Sequence, residues 1–413
     1  MRQTASQALP SIPLRQDAGI IGLVGLAHLI SHYSQLLLPP LFPWLKDAFG
    51  VSYVELGFLM SLFFLVSCAV QAGSGFLVDR FGPRPVLLAA LGILGVSALG
   101  FALSPNYGTM AGFAMLAGVG NGVFHPVNFT LLNRKVSPGR IGHAYSFHGV
   151  TGSLGWALAP AMLVPMAIAF SWRVALMGAS ALAFGVLLIL WIHRDRLQLP
   201  VLAPQRPGPV SPRQREGAFE FLRLPAVWMC FGFFFFYAFI FSVIQAFAPE
   251  AARQLHGVPV ALAAVCLTIF MVCSAGGMLL GGFLASDPSR CERVVAMAFG
   301  FNALMGLLIA FGPLPPLAVP VLFAAMGFAS GIAGPSRDLL VKKSTPENAS
   351  GRVYGVVYSG MDIGQALSPL VFGALMDHHQ YQGVWVGLVL MHAVLVTSAF
   401  NVRRARRTSL APA

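Results

Sequence analysis

The feature that most restricts this chain is a series of apolar stretches, repeated from end to end, each long enough to cross about 30 Å of hydrocarbon. In lipid, a backbone must satisfy its own hydrogen bonds, so each stretch reads as a helix. Twelve qualify: 18–44, 51–78, 85–104, 108–134, 141–168 and 172–193, then 224–252, 258–285, 292–312, 316–341, 350–376 and 382–402. The 413 residues would otherwise allow two or three soluble domains. Only 10% are charged and 57% are hydrophobic, against about 25% charged in soluble domains. The leader Met1–Asp17 has no short apolar core followed by a cleavage site, so the first stretch reads as a retained span.

The second six stretches repeat the first. At an offset of 209 residues, Gly118, Gly122, Pro126, Leu131, Gly142, Tyr145, Gly155, Ala157, Leu158 and Pro160 all recur within 327–369. Composition alone predicts about three or four such matches. The expected fold is therefore an all-α integral membrane protein, twelve transmembrane helices in two pseudo-symmetric six-helix bundles. Its parts are a cytoplasmic segment 1–17, an N-terminal bundle 18–193, a Pro- and Arg-rich cytoplasmic linker 194–223, a C-terminal bundle 224–402 and a basic cytoplasmic tail 403–413.

The net charge of +12 invites a nucleic-acid reading, and its distribution excludes one. With twelve spans, 22 Lys and Arg fall on the side of the chain termini, while only Lys46, Arg173 and Arg253 fall opposite. That asymmetry places both termini in the cytoplasm, with the lipid bilayer as the partner. The protein is expected in the plasma membrane, a bacterial inner membrane. The five cysteines form no C-x-x-C pair and read as small apolar fillers. No G-x-x-x-x-G-K-[ST] loop and no catalytic constellation occurs, so neither an enzyme nor a nucleotide-driven pump is expected, and no cofactor.

Between the second and third spans runs Gly75-Phe-Leu-Val-Asp79-Arg80-Phe-Gly82-Pro83-Arg84. This turn resembles the G-x-x-x-D-R-x-G-R-[RK] signature of the major facilitator superfamily, with Gly75, Asp79, Arg80, Gly82 and Arg84 fitting and Pro83 departing. Twelve spans, the six-plus-six repeat and the basic linker extend the likeness over nearly the whole chain. His28-Leu-Ile-Ser31-His32, Val123-Phe-His125-Pro126 and Gly149-x-x-Gly152-x-x-Gly155 look like the fosmidomycin-resistance group, although Val127 stands where that group tends to carry an acid. The resemblance implies alternating access, a monomer, and a latch in which Asp79 faces the start of the eleventh helix at 348–351. Ala159 replaces the Gly that drug exporters carry before the equivalent of Pro160.

Polar groups at membrane depth are costly and therefore mark function. The first span carries His28, Ser31, His32 and Gln35 on one stripe; the fourth carries Asn121, His125 and Asn128. The tenth carries their repeat partners Ser330, Gly334 and Arg337, and the seventh carries Tyr237, Phe241 and Gln245. In the superfamily these four helices line the central cavity. Pro126 permits a kink at cavity depth, and Pro335 repeats it. Arg337 has two readings: a bidentate fork for an anionic substrate, or a structural partner of Asp362 or Asp338. Asp362, Asp338 and His125 are the candidates for proton coupling, since histidines titrate near neutrality. His148 also reads as cavity-facing. His28 and His32 have metal-ligand spacing, but no acid or Cys accompanies them on that helix, so no metal is assigned.

The expected activity is secondary active transport of a small organic solute, anionic or drug-like, coupled to protons, with export ahead of import. The alternatives are a carboxylate uptake symporter and a non-transporting sensor on the same scaffold.

Overall fold

The computed structural model describes residues 14–199, 225–284, 290–344 and 350–409, with the side chains of 226, 338–344, 350–358 and 399–409 excepted. Fifteen α-helices make up the twelve expected spans. The first half holds α1 (Leu14–Gln35), α2 (Phe42–Phe49), α3 (Tyr53–Phe81), α4 (Pro83–Leu103), α5 (Tyr107–Asn121), α6 (Phe124–Lys135), α7 (Ile141–Ala169) and α8 (Trp172–Ile192). The second holds α9 (Pro225–Ala246), α10 (Ala248–His256), α11 (Val260–Leu284), α12 (Cys291–Phe311), α13 (Ala318–Ser344), α14 (Ser350–Asp377) and α15 (Tyr381–Ser409).

Three spans are broken where the sequence reading drew them whole. The first turns at Pro39–Leu41 before α2, the fourth breaks between Asn121 and Phe124, and the seventh breaks at Phe247 before Pro249. In the fourth, the Pro126 ring would clash with the carbonyl four residues back, at Gly122, where α5 ends. The repeat at Pro335 has no such break, and α13 runs through it. At the other extreme α15 continues through 403–409, where a tail was expected; no Gly or Pro lies between Gly387 and Pro412 to stop it. Among the described residues, ten helices are long and apolar enough to cross a membrane by length and composition. The other two spans are the broken α5–α6 pair and α14, which carries Asp362 and Gln365.

The two halves pack alike. In the first, α1 lies on α7, α3 on α5 and α4 on α8. In the second, the repeat counterparts do the same: α9 on α14, α11 on α13 and α12 on α15. Two seams join the halves, α3 with α14 and α7 with α11, which are again counterparts. This is a major facilitator fold.

Both seams are tight at one end only. At the end carrying α2 and α10, a Cβ on Gly57 would stand 2.7 Å from the Pro369 carbonyl oxygen, and Ser61 Oγ donates to the Ala366 carbonyl at 2.5 Å. Thr268 Oγ1 donates to the Ala157 carbonyl at 3.3 Å. Toward the end carrying the Asp79 turn, Gly73, Gly75, Gly142 and Gly149 would have no atom within 4 Å of an added Cβ, and Phe76, Tyr145 and Phe147 are exposed. Among the described residues, the seams are closed at the α2–α10 end and open at the other.

Candidate functional site

The polar stripes of α1 and α5–α6 meet inside the first half. Ser31 Oγ donates to Asn121 Oδ1 at 2.8 Å, and Gln35 Nε2 reaches the same oxygen at 3.4 Å. Asn121 Nδ2 donates to Ser67 Oγ at 2.9 Å, and Trp156 Nε1 donates to Gln35 Oε1 at 3.0 Å. The Asn121 amide thus ties three spans together and Gln35 adds the fifth through Trp156, as buried polar groups require if they are not to be left unsatisfied. The second half has a smaller version, in which Asn302 Nδ2 donates to Ser330 Oγ, the repeat partner of Asn121, at 2.8 Å.

Beside this network four histidines pack together. The His28 ring lies 4.2 Å from that of His32, 5.3 Å from His125 and 3.5 Å, stacked, from His148. Asn128 Nδ2 and His148 Nε2 are 3.2 Å apart. The α7 glycines make the approach possible. A Cβ on Gly152 would stand 2.8 Å from the His32 ring and 2.9 Å from His28 Nε2, while one on Gly155 would strike the Leu29 carbonyl. The glycine motif therefore seats α1 and its histidines against α7.

An aromatic path crosses from this cluster into the second half. His32 lies 4.1 Å from the Trp156 ring, Trp156 lies 5.0 Å from Phe241, and Phe241 stacks on Tyr237 at 5.8 Å. The path ends at Arg337, whose guanidinium carbon lies 4.3 Å from the Tyr237 ring centre and 5.7 Å from that of Phe234. An aromatic face attracts a cation through its ring quadrupole. Gln245, on the stripe of Tyr237 and Phe241, is buried, and its Nε2 has no hydrogen-bond partner.

Asp362 lies elsewhere than the Arg337 pairing supposes. Its carboxyl lies beside the Cys68 thiol of α3, across the seam between halves, and its Oδ2 is buried without a partner. No ion pair joins Asp362 to Arg337 among the described residues. The Asp338 side chain lies outside those described.

In the last turns of α3, which extends to Phe81, Gly75, Asp79 and Arg80 are exposed, and the Arg80 guanidinium lies 5.3 Å from the Phe81 ring centre. Gly82 holds φ at +80°, a conformation that side chains disfavour. Arg84 Nη1 donates to Gln198 Oε1 at 3.1 Å. The expected partner of Asp79 at 348–351 lies outside the described residues, its backbone from 350 onward excepted.

Several contributors escaped the sequence reading. Trp156 is eight residues, two helical steps of four, beyond His148, so the α7 stripe was open to detection. Ser67, Cys68 and Asp17 gave no signal, because their partners are distant in sequence. The Asp17 carboxylate is buried and accepts from Ser137 Oγ at 2.5 Å and Arg140 Nη1 at 2.8 Å, tying the start of α1 to the approach of α7.

The sequence model of the Major Facilitator Superfamily matches residues 24–356 and 292–413. A probable nitrate/nitrite transporter, NarK2 of Mycobacterium tuberculosis, is 26% identical over 404 residues, 95% of this chain and 98% of that protein. The fosmidomycin resistance protein of Escherichia coli is 31% identical over 157 residues, 38% of each chain. Among solved structures, a bacterial homolog of the human lysosomal transporter Spinster aligns with a TM-score of 0.77 at 15% identity, covering 98% of this chain and all of that one.

Proposed function

The chain belongs to the major facilitator superfamily, and we propose that this secondary transporter moves a small organic anion, exporting it in exchange for protons. The observation that carries the reading is Arg337 on the Tyr237 face, at the end of an aromatic path spanning both halves. A guanidinium supplies two parallel donors for a carboxylate, phosphonate or similar group, and the flanking rings suit an apolar body. Relatives named for nitrate/nitrite and for sulfoacetate, both anions, lie in the same direction.

Coupling is assigned to Asp362, a carboxyl on the seam that alternating access must rearrange. The bias of Lys and Arg toward the open end supports reading that end as cytoplasmic, with both termini inside and the conformation inward-open. The halves divide at the linker 194–223, in a monomer of the plasma membrane. Export then begins with solute entering between α3 and α14 from the cytoplasm.

The test is thermal stabilisation of the purified protein by a panel of organic acids, phosphonates and lipophilic cations at two pH values, for wild type and Arg337→Ala. An acid or phosphonate that stabilises wild type and not the variant supports the reading. A variant that binds the same hit equally but is itself less stable makes Arg337 structural and refutes it.

A further inference from the structure

We propose that His28, His125 and His148 form a site for a divalent transition-metal ion of the zinc or nickel class, inside the first half. The sequence argument against a metal was the lack of a third ligand on the helix of His28 and His32. The fold supplies it from two other helices. One ligand nitrogen each from His28 (α1), His125 (α6) and His148 (α7) lie within 4.8 Å of one another. His32 packs against the group as a fourth imidazole, 4.2 Å from His28 between ring centres.

The hydrogen bonding favours an ion over a proton relay. A relay needs imidazoles joined donor to acceptor, and no hydrogen bond joins any two of these four rings; His28 Nδ1 and His32 Nδ1 are buried with no partner at all. His28 is 2% exposed and His32 8%, so water does not serve them freely. An ion that accepts a lone pair from His28 removes the first of those orphans.

The surroundings are also those of a ligand set. Metal-bound histidines are oriented by a hydrogen bond to the other ring nitrogen. Asn128 stands 3.2 Å from His148 Nε2, and Asn128 Oδ1 is buried without a partner. Turning that amide lets Oδ1 accept from Nε2–H, which leaves His148 Nδ1 with its lone pair for the ion. Gly152 leaves the room that His28 and His32 occupy.

Tetrahedral ligation at the usual zinc–imidazole distance requires nitrogens about 3.3 Å apart. The cluster must therefore tighten, and the His28–His148 stack must open so that both rings present their edges. His125 is half-buried, and the Phe129 ring stacked on it at 6.2 Å is exposed, so the edge of the cluster is reached from outside the protein. An all-imidazole set suits zinc, nickel, copper or cobalt and not magnesium or calcium, which take oxygen.

The test uses the full chain, purified through a tag without histidines, stripped with chelator and titrated with Co2+ alone, then with Zn2+ as competitor. It reads metal directly and is independent of whether the transported solute is an anion. One equivalent of Co2+ giving tetrahedral visible bands, displaced by Zn2+, is expected. His125→Ala and His28→Asn should each weaken binding at least tenfold, and Asn128→Ala by about tenfold. Should His28→Asn fail to fold, His125→Ala decides. Absence of the bands at one equivalent, or unchanged affinity in His125→Ala, overturns the proposal.

Discussion

The carboxylate of Asp377, in the last turn of α14, accepts hydrogen bonds from the backbone N–H groups of Tyr53 at 2.7 Å and Val54 at 2.9 Å, in the first turn of α3. The helices belong to different halves, so an acid of one half caps a helix of the other. Lys46 Nζ lies 3.6 Å from the same carboxylate. The cap closes the α2–α10 end of the seam that Gly57 and Ser61 also close. Removing two charge-assisted bonds, partly screened by solvent, costs on the order of 2 kcal/mol, a shift of about 30-fold in the ratio of closed to open. Asp377→Ala should therefore populate the state open at this end. Spin labels replacing Asp47 and His378, in a background without native cysteines, should report a second, longer distance. An unchanged distance distribution would show that the cap does not hold the seam.

Asp79 stands in the reciprocal position, at the end of α3 and aimed in the superfamily pattern at the start of α14. It is exposed. The same charge should be engaged in the opposite conformation. Asp79→Asn is then expected to leave the present conformation intact and to destabilise the other, so that Tyr145→Cys stays reactive to an impermeant maleimide from the Asp79 side while transport falls at least fivefold. Full transport by Asp79→Asn would reduce the turn to a determinant of topology.

Close approach makes a paired prediction on α7. A Cβ at 155 meets the Leu29 carbonyl, a backbone atom that can yield only if α1 moves. At 149 an added Cβ meets nothing within 4 Å. Gly155→Ala should cost about 1–3 kcal/mol as overpacking, whereas Gly149→Ala should be neutral or gain up to about 1 kcal/mol from helix propensity. Thermal unfolding in detergent, followed by tryptophan fluorescence, ranks the two. Equal midpoints would mean that α1 and α7 are not packed as described.

The sequence made the helices legible because apolar length and the 209-residue repeat act over whole segments. It made the stripes legible because i, i+4, i+7 spacing is a property of one helix. Prolines 39, 126 and 249 mark the breaks, yet Pro335 leaves α13 continuous, so proline alone does not say whether a helix kinks or parts. Partners were the part hidden from sequence. Asp362 was one of two acids offered as a partner for Arg337, and the fold sets it beside Cys68 of the first half. The histidines of α1 lacked a third ligand only while α1 was considered by itself. Asn121, read as a cavity residue, is buried in bonds to Ser31, Gln35 and Ser67, contacts that depend on which faces meet.

The placement of Asp362 predicts how pH enters the cycle. The carboxyl lies on α14, one turn from Ala366, with Cys68 of α3 beside it and one oxygen without a partner. Rocking the halves must part α3 from α14 at the Ala366 end and bring them together at the Asp79 end, so the group meets different surroundings in the two states. A carboxyl whose surroundings alternate binds its proton with different affinity in each, which is what links a proton gradient to solute movement. Asp362→Asn, unable to titrate, should still exchange solute down its gradient in proteoliposomes. It should lose accumulation driven by a pH gradient and show a flat pH profile. Cys68→Ser, which keeps a donor at the same place, should retain both. Gradient-driven accumulation persisting in Asp362→Asn would move the coupling site off the seam.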